Sequence, residues 1–349
     1  MERTPLRIGV FLDFPQGDDG RATEDALRLG FDEVAQAGRL DRDVELLVAP
    51  VRGLPMGSEH EVADGFRELA ATGCLLVVGP SISDNALITT PIGDAMGLVT
   101  INYTGGERTR GDFGFHYQVG SLEEEPAVLG GRLHERGLMR PAVIHDRSPV
   151  GRRYAECFDD AAPALGLEIT GRQGIAPLSE DVVGTLARLR ESEPDSLVYL
   201  GLGVSSRAVA LGLEAIDWHT PVVANSALMF GYARPEWRAG WAGWEYLDAI
   251  ADDNQRRRTI AEASPKTAAG PVPCALVDIG RLAGEAIARA DHLTRAGVRD
   301  ALERVKRLPA ACGYEGTTMG FGVYDHGALA GDYLVLREWR DGSTVQVDR

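Results

Sequence analysis

Two apolar stretches, residues 75–78 and 98–101, each run out into small hydroxyl and amide residues. The first is followed by Gly79-Pro80-Ser81-Ile82-Ser83 and the second by Asn102-Tyr103-Thr104-Gly105-Gly106. Hydroxyls, amides and backbone N–H groups gathered at strand ends can hold a polar or anionic group without a basic side chain, because a following helix presents unpaired N–H groups. That is binding chemistry, and Ser81, Ser83, Asn102 and Thr104 are its first candidates. Taken alone, the same residue types read as helix caps and turn closers. Catalytic chemistry is not indicated. His145-Asp146 ends a strand, but Ser148-Pro149 is no strand-to-helix nucleophile elbow, so His145 reads as a hydrogen-bonded structural residue and Asp146 as a cap. Gly201-Leu202-Gly203-Val204-Ser205-Ser206 follows a strand as a dinucleotide fingerprint would, yet Ser206 stands in the third glycine's place and no acid follows at the usual distance. No cofactor is expected.

The elements that must position these residues alternate regularly. Strands are expected near 8–11, 44–48, 75–78 and 98–101, with helices over 22–37, 59–71 and 84–95 between them. Ser58 and Glu61 form a capping-box signature. The pattern restarts with a helix at 123–136, then strands at 142–145, 168–170, 197–200 and 221–224, separated by helices ending near 165 and covering 182–190 and 206–216. A polar helix (253–263), a long helix (275–290), a shorter one (298–305) and strands at 319–324, 333–339 and 344–347 complete the chain, the last two as a hairpin. Strands alternating with helices mean parallel sheets covered on both faces. The expected fold class is α/β, with two doubly wound parallel-sheet lobes. Trp237, Trp241 and Trp244 are expected to pack a lobe junction.

Composition narrows the function. The 349 residues carry a formal charge of −16, which excludes phosphate-backbone binding, and Arg256-Arg257-Arg258 follows two aspartates as a solvated helix face. Nucleic acid is not an expected partner. Cys74, Cys157, Cys274 and Cys312 have neither metal-ligand nor disulfide-framework spacing, so no metal site is expected and a reducing compartment fits; Cys74 and Cys274 read as small core residues. No apolar run is long enough for membrane insertion. As written, the sequence shows no signal-peptide features; a cytoplasmic location is expected, or a periplasmic or cell-surface one if an export signal has been removed.

In order and spacing, Arg7-Ile-Gly-Val10, Val77-Val-Gly-Pro-Ser81, Gly97-Leu-Val-Thr-Ile101, Val143-Ile-His-Asp146, Asp195-Ser-Leu-Val-Tyr199 and Phe321-Gly-Val-Tyr-Asp-His326 resemble the type I periplasmic binding proteins of the leucine/isoleucine/valine-binding family, the solute receptors of ABC transporters. The resemblance spans nearly the whole chain. It implies lobes made of residues 1–119 plus 248–323 and 120–247 plus 324–349, joined by three crossings, that close on a small-molecule ligand by hinge motion. An ABC permease would read the closed form; a cytoplasmic regulator is the alternative partner, as in the amide-sensing relative, and a homodimer is also carried as an expectation. An enzyme on the same scaffold is the weakest alternative.

The resemblance further implies that Ser83 and the 102–106 loop, with Tyr103 and Gly106, take the ligand's carboxylate. In the second lobe, Arg147, Val150, Gly203, Asn225, Ser226 and Met229 fall at ligand-facing positions, with Leu202 and Phe230 nearby. Here the sequence departs from the family. Asn225-Ser226-Ala227 stands where an acidic residue would meet a ligand ammonium, and Val150 and Gly203 replace closing aromatics. A buried, unpaired ammonium costs several kcal/mol, on the order of the penalty for any desolvated charge. The expected ligand is therefore not a free α-amino acid but an amide, a carboxylate or a larger apolar compound.

Overall fold

Strand and helix alternate from the start of the computed structural model, which describes residues 4–14, 20–234, 237–238 and 240–348. The chain begins β1 (Leu6–Leu12), α1 (Arg21–Gln36), β2 (Val44–Pro50), α2 (Glu59–Ala71), β3 (Leu76–Val78), α3 (Ser83–Met96), β4 (Val99–Asn102) and β5 (Gly114–His116). It continues with α4 (Glu125–Glu135), β6 (Pro141–Asp146), α5 (Pro149–Ala161), β7 (Gly171–Ile175), α6 (Val183–Arg190), β8 (Ser196–Leu200), α7 (Ser206–Ala215), β9 (Val222–Ala224) and β10 (Glu245–Asp248). The last third holds α8 (Gln255–Ala263), α9 (Pro271–Arg289), α10 (Arg295–Leu302), β11 (Leu308–Pro309), β12 (Thr318–Met319), β13 (Leu329–Ala330), β14 (Val335–Arg340) and β15 (Ser343–Gln346). Of the loop after β1, Pro15 to Asp18 lie outside the described residues, as does the side chain of Phe230.

The chain divides into two compact units, residues 1–119 with 250–333 and residues 120–249 with 334–349. The first is built on a five-stranded sheet in the order β2-β1-β3-β4-β5, parallel throughout. β1, β3 and β4 are buried at every position but Arg7 because helices cover both of their faces. Phe11, Val62, Phe66, Leu69, Val77 and Leu98 form the core between the sheet and α2. Helix α2 starts at Ser58 with both bonds of the capping box in place. On the other side α1 lies against α9 with almost no clearance: a Cβ at Gly30 would sit 2.0 Å from the Val277 carbonyl, and one at Gly280 would sit 2.3 Å from that of Leu27. β11, β12 and β13 make a small antiparallel sheet.

The second unit carries a seven-stranded sheet, β15-β14-β10-β9-β8-β6-β7. Strands β6 to β10 run parallel, and the β14–β15 hairpin is added antiparallel to β10. The tryptophans correct an expectation. Trp241 and Trp244 stack at 6.5 Å, Trp339 meets Trp241 edge-on, and all three belong to the core of this unit with Tyr199 and Tyr246. They fill the large space beside β10 and β14; Trp237 lies under the Arg234 guanidinium.

Other differences have local causes. β7 starts at Gly171 and not at residue 168, because Glu168 and Thr170 N–H groups bond to Met139 and Pro141 outside the ladder. Helix α9 starts at Pro271 and not at 275: prolines in a first turn give up only N–H groups that lack partners there anyway. Thr294 caps α10 three residues earlier than expected. The reading of 319–324 as a strand shrinks to the two residues of β12. Residues 324–333, read with the second lobe in the sequence, pack with the first unit, since Gln118 Oε1 accepts from both Ala328 and Leu329 N–H at 2.9 Å.

Candidate functional site

Asp13, the residue that follows β1, organises the polar end of the first sheet. It is fully buried. Its carboxylate accepts from Ser81 N (2.8 Å), Ser81 Oγ (2.8 Å), Ile82 N (3.0 Å) and Asn85 Nδ2 (2.7 Å). Burial pushes its pKa up, opposed by those hydrogen bonds, with the Asn85 bond the strongest of them. Burial also raises the Tyr103 phenol, and the Asp13 charge adds to the shift. Ser81 and Tyr103 are thus engaged in shaping the β3–α3 turn, and the hydroxyl of Ser81 is already spent as a donor. Asp13 has no place among the sequence-predicted site residues; its signal was an acid directly after an apolar strand.

The loop after β4 is likewise self-contained. Asn102 Nδ2 donates to the Thr109 carbonyl (3.0 Å), and its Oδ1 accepts from Thr104 Oγ1 and Thr109 Oγ1 (3.1 Å each). The Gly106 N–H reaches Thr104 Oγ1 at 3.4 Å. His116 closes the group from β5: Arg110 Nε donates to its Nδ1 at 3.3 Å, so the ring proton resides on Nε2, which donates to the Thr104 carbonyl at 2.8 Å. Burial drives the His116 pKa down to about 3, so the ring is neutral. Ser83 differs from these neighbours. It is the first residue of α3, its N-cap position is Ile82 with no side-chain cap, and among the described residues its hydroxyl has no hydrogen-bond partner. A small polar group placed there would meet an open hydroxyl and the uncapped first turn of a 14-residue helix. Asp84, also buried in that turn, sets the other side of the balance.

In the second unit, β6, β8 and β9 are neighbours, so the loops at their carboxyl ends converge. Asp146 accepts from Ser148 N (3.1 Å), Ser148 Oγ and Leu202 N (2.5 Å), which ties the β6 loop to the β8 loop. Its pKa is raised, by burial first. Ser148 in turn caps α5, placing Val150, buried, in the first turn, while Arg147 is exposed. His145 Nδ1 bonds the Asp146 carbonyl at 2.8 Å. Gly203 has φ +80°, and a Cβ there would stand 2.5 Å from the Ala227 carbonyl; only glycine lets the β8 loop approach the turn after β9 this closely. Asn225 and Gly201 exchange two hydrogen bonds, 3.1 and 2.9 Å. Ser226 donates through N and Oγ, both 2.7 Å, to Glu125. Met229 and Leu202 are buried beside them.

The sequence-predicted residues therefore fall into one cluster in each unit. In both clusters most polar side chains are bonded within their own unit. At the second cluster the carboxylates of Asp146 and Glu125 are both taken up by donors from that unit. A pocket of about 380 Å³ in the first unit lies elsewhere, between the start of α8 and the β11–β12 connection, lined by residues such as Asn254, Gln255, Glu315 and Thr317. Its main polar groups are mutually paired, Asn254 with the Ala310 and Gly313 carbonyls and Glu315 with Gln255 N. Among the described residues no group of acids, histidines and cysteines could hold a metal ion, and no helix is long and apolar enough to cross a membrane.

Each of the two units is an α/β domain with polar residues at the carboxyl ends of its parallel strands. Residues 5–337 match the family described as periplasmic binding protein, and the chain belongs to that family. Its fold is similar to that of the leucine-binding protein LivK from Thermotoga maritima (TM-score 0.83, 15% identity, 98% of each chain covered). It is equally similar to the branched-chain amino acid receptor LivJ from Streptococcus pneumoniae in complex with isoleucine (TM-score 0.82, 14% identity, 99% of each chain). An ABC transporter substrate-binding protein from Desulfitobacterium hafniense in complex with Leu has a TM-score of 0.81 at 18% identity, covering 99% of this chain and all of that one. No curated protein sequence matches this chain.

Proposed function

We propose that the protein is a solute receptor of an ABC importer that draws its two units together on a small molecule carrying a carboxylate or amide on an apolar body. Membership of the periplasmic binding protein family supports the receptor role, and a permease is the partner that this role requires. In this reading Ser83 and the first turn of α3 take the polar head of the ligand, with the loop of Asn102, Thr104 and Gly106 as a rigid wall. Val150, Leu202, Gly203 and Met229 would face its apolar body.

The observation that carries the choice of ligand is the pairing at the second cluster. Asn225 stands where an acidic anchor would be needed and is committed to Gly201, while the nearby carboxylates of Asp146 and Glu125 already accept hydrogen bonds from their own unit on both oxygens. An α-ammonium brought to this cluster would meet the uncharged Asn225 in place of an acid and would have to displace hydrogen bonds to reach Asp146 or Glu125, which disfavours a free α-amino acid through desolvation. The relatives crystallised with leucine and isoleucine make those two compounds the necessary comparison.

Native mass spectrometry of the purified protein tests the reading, followed by melting in the presence of isocaproate, isocaproamide, leucine and isoleucine. Stabilisation by isocaproate or isocaproamide that is lost in Ser83→Ala supports it. Stabilisation by leucine or isoleucine alone overturns the ligand assignment, and turnover of a bound compound would overturn the receptor role.

A further inference from the structure

Glu125 is a carboxylate with no cation. It is the first residue of α4, completely buried, and among the described residues it takes part in no ion pair. Four donors converge on it: Ser121 N (2.6 Å), Tyr154 Oη (3.0 Å) and Ser226 Oγ (2.7 Å) on Oε1, and Ser226 N (2.7 Å) on Oε2. They come from the segment that has just entered the second unit, from α5 and from the turn after β9. Gly120, the first residue of that unit, sits directly over the group. A Cβ at position 120 would lie 2.1 Å from Ser226 Oγ and 2.4 Å from Glu125 Oε1. The passage of the chain from one unit to the other is thus fastened to the loop bearing Asn225 and Ser226 through one uncompensated carboxyl group.

We propose that Glu125 is a pH-responsive clasp on the first crossing, whose deprotonation loosens residues 120–121 from the turn after β9. Solvation drives the opening. Ionised and buried, the carboxylate has hydrogen bonds but no countercharge; opening the clasp returns it to water. The neutral acid pays no such penalty, and it keeps its bonds because the hydroxyls of Ser226 and Tyr154 can reverse and accept its proton. Among the described residues no cation pairs with it, and Arg153 on α5, next to Tyr154, pairs with Glu156. Helix α5 presents the Tyr154 phenol, raised well above its ordinary range by burial, and the turn after β9 presents uncharged Asn225 and Ser226. Glu123 and Glu124 precede the group on its own segment, and Arg132, further along α4, is engaged by Glu245 of β10 at 2.7 Å.

Burial accordingly lifts the Glu125 pKa from 4.5 to about 7, with the Ser226, Ser121 and Tyr154 bonds holding it from going higher. The sign follows from linkage. A carboxyl whose pKa is higher closed than open favours the closed clasp at low pH, and that preference is lost as pH rises from 4.5 through about 7. Between pH 6 and 8 the open fraction should grow about tenfold.

The clasp stands apart from the ligand reading, but its effect on binding rests on it, because Ser226 is the shared residue. Amide hydrogen exchange of the full, ligand-free chain at residues 119–122 and 224–228 reads the clasp, after division by the intrinsic rate at each pH. The expected result is a rise of about tenfold in opening between pH 6 and 8 in the wild type and a flat profile in Glu125→Gln. A wild-type profile that is flat, or one that Glu125→Gln reproduces, overturns the proposal. Tyr154→Phe serves if Glu125→Gln does not fold: losing a donor to the ionised form moves the midpoint upward, and an unmoved midpoint refutes the clasp. Failure of every compound to bind would sink the ligand reading and leave this exchange profile in place.

Discussion

Replacing Asp13 by alanine should unfasten the β3–α3 turn that carries Ser81 and Ser83. The carboxylate receives four donors, and its removal strands the Ser81 and Ile82 N–H groups and the Asn85 amide in a buried site. Each stranded donor costs about 1–3 kcal/mol. Against this stands the relief of no longer burying a charge, which the upward-shifted pKa of Asp13 shows to be real. With three donors stranded and the cost of burying a charge relieved, the net destabilisation is about 3–5 kcal/mol. For a unit of roughly 200 residues, 1 kcal/mol moves the melting temperature by about 2–4 °C, so a drop of about 10 °C is expected. Asp13→Asn should fall less, because its Oδ1 still serves the two Ser81 donors while its Nδ2 opposes those of Ile82 and Asn85. Thermal unfolding followed by circular dichroism measures both. If Asp13→Ala melts with the wild type, the turn is not held by this carboxylate, and the account of the first cluster is wrong.

Other outcomes are specific to single positions. His116→Gln should flatten part of the pH dependence of stability: the buried neutral ring, with its pKa near 3, destabilises the fold as pH falls from 6.5 toward 3, by about 1.4 kcal/mol per unit, so the difference from wild type in urea unfolding should grow on acidification. Gly30→Ala should cost about 1–3 kcal/mol because the new methyl meets the Val277 carbonyl of α9, whereas Gly131→Ala in α4, where a Cβ meets nothing within 4 Å, should stabilise by about 0.5–1 kcal/mol. Equal effects of the two would contradict the close helix contact. Ser58→Ala should cost about 1 kcal/mol in the same melts, through loss of the capping box on α2.

What the sequence revealed and what it concealed have separate physical causes. Continuous apolar runs such as Leu76–Val78 and Ser196–Leu200 mark doubly covered parallel strands, and Ser58 with Glu61 marks a helix start to the residue. β5 and β10 were not legible: Gly114–His116 is three residues long and Glu245–Asp248 ends in charge, so neither carries a periodic signal. Trp241 and Trp244 misled because sequence shows that aromatics cluster and not which sheet they fill. At the candidate site, hydroxyls could be nominated by type, but their availability depends on partners distant along the chain. Asp13 takes up Ser81 across 68 residues, and Glu125 takes up Ser226 across 101. Ser83, by contrast, has no hydrogen-bond partner for its hydroxyl among the described residues, a distinction that only the fold can draw.

The central claim is that this receptor takes a carboxylate or amide with an apolar body and has no anchor for an ammonium. Calorimetric titration with leucine and with isocaproate, which differ only in the α-ammonium group, tests it most directly. Isocaproate should bind at least about tenfold more tightly, the least that an unpaired buried ammonium should cost. Tighter binding of leucine would contradict it.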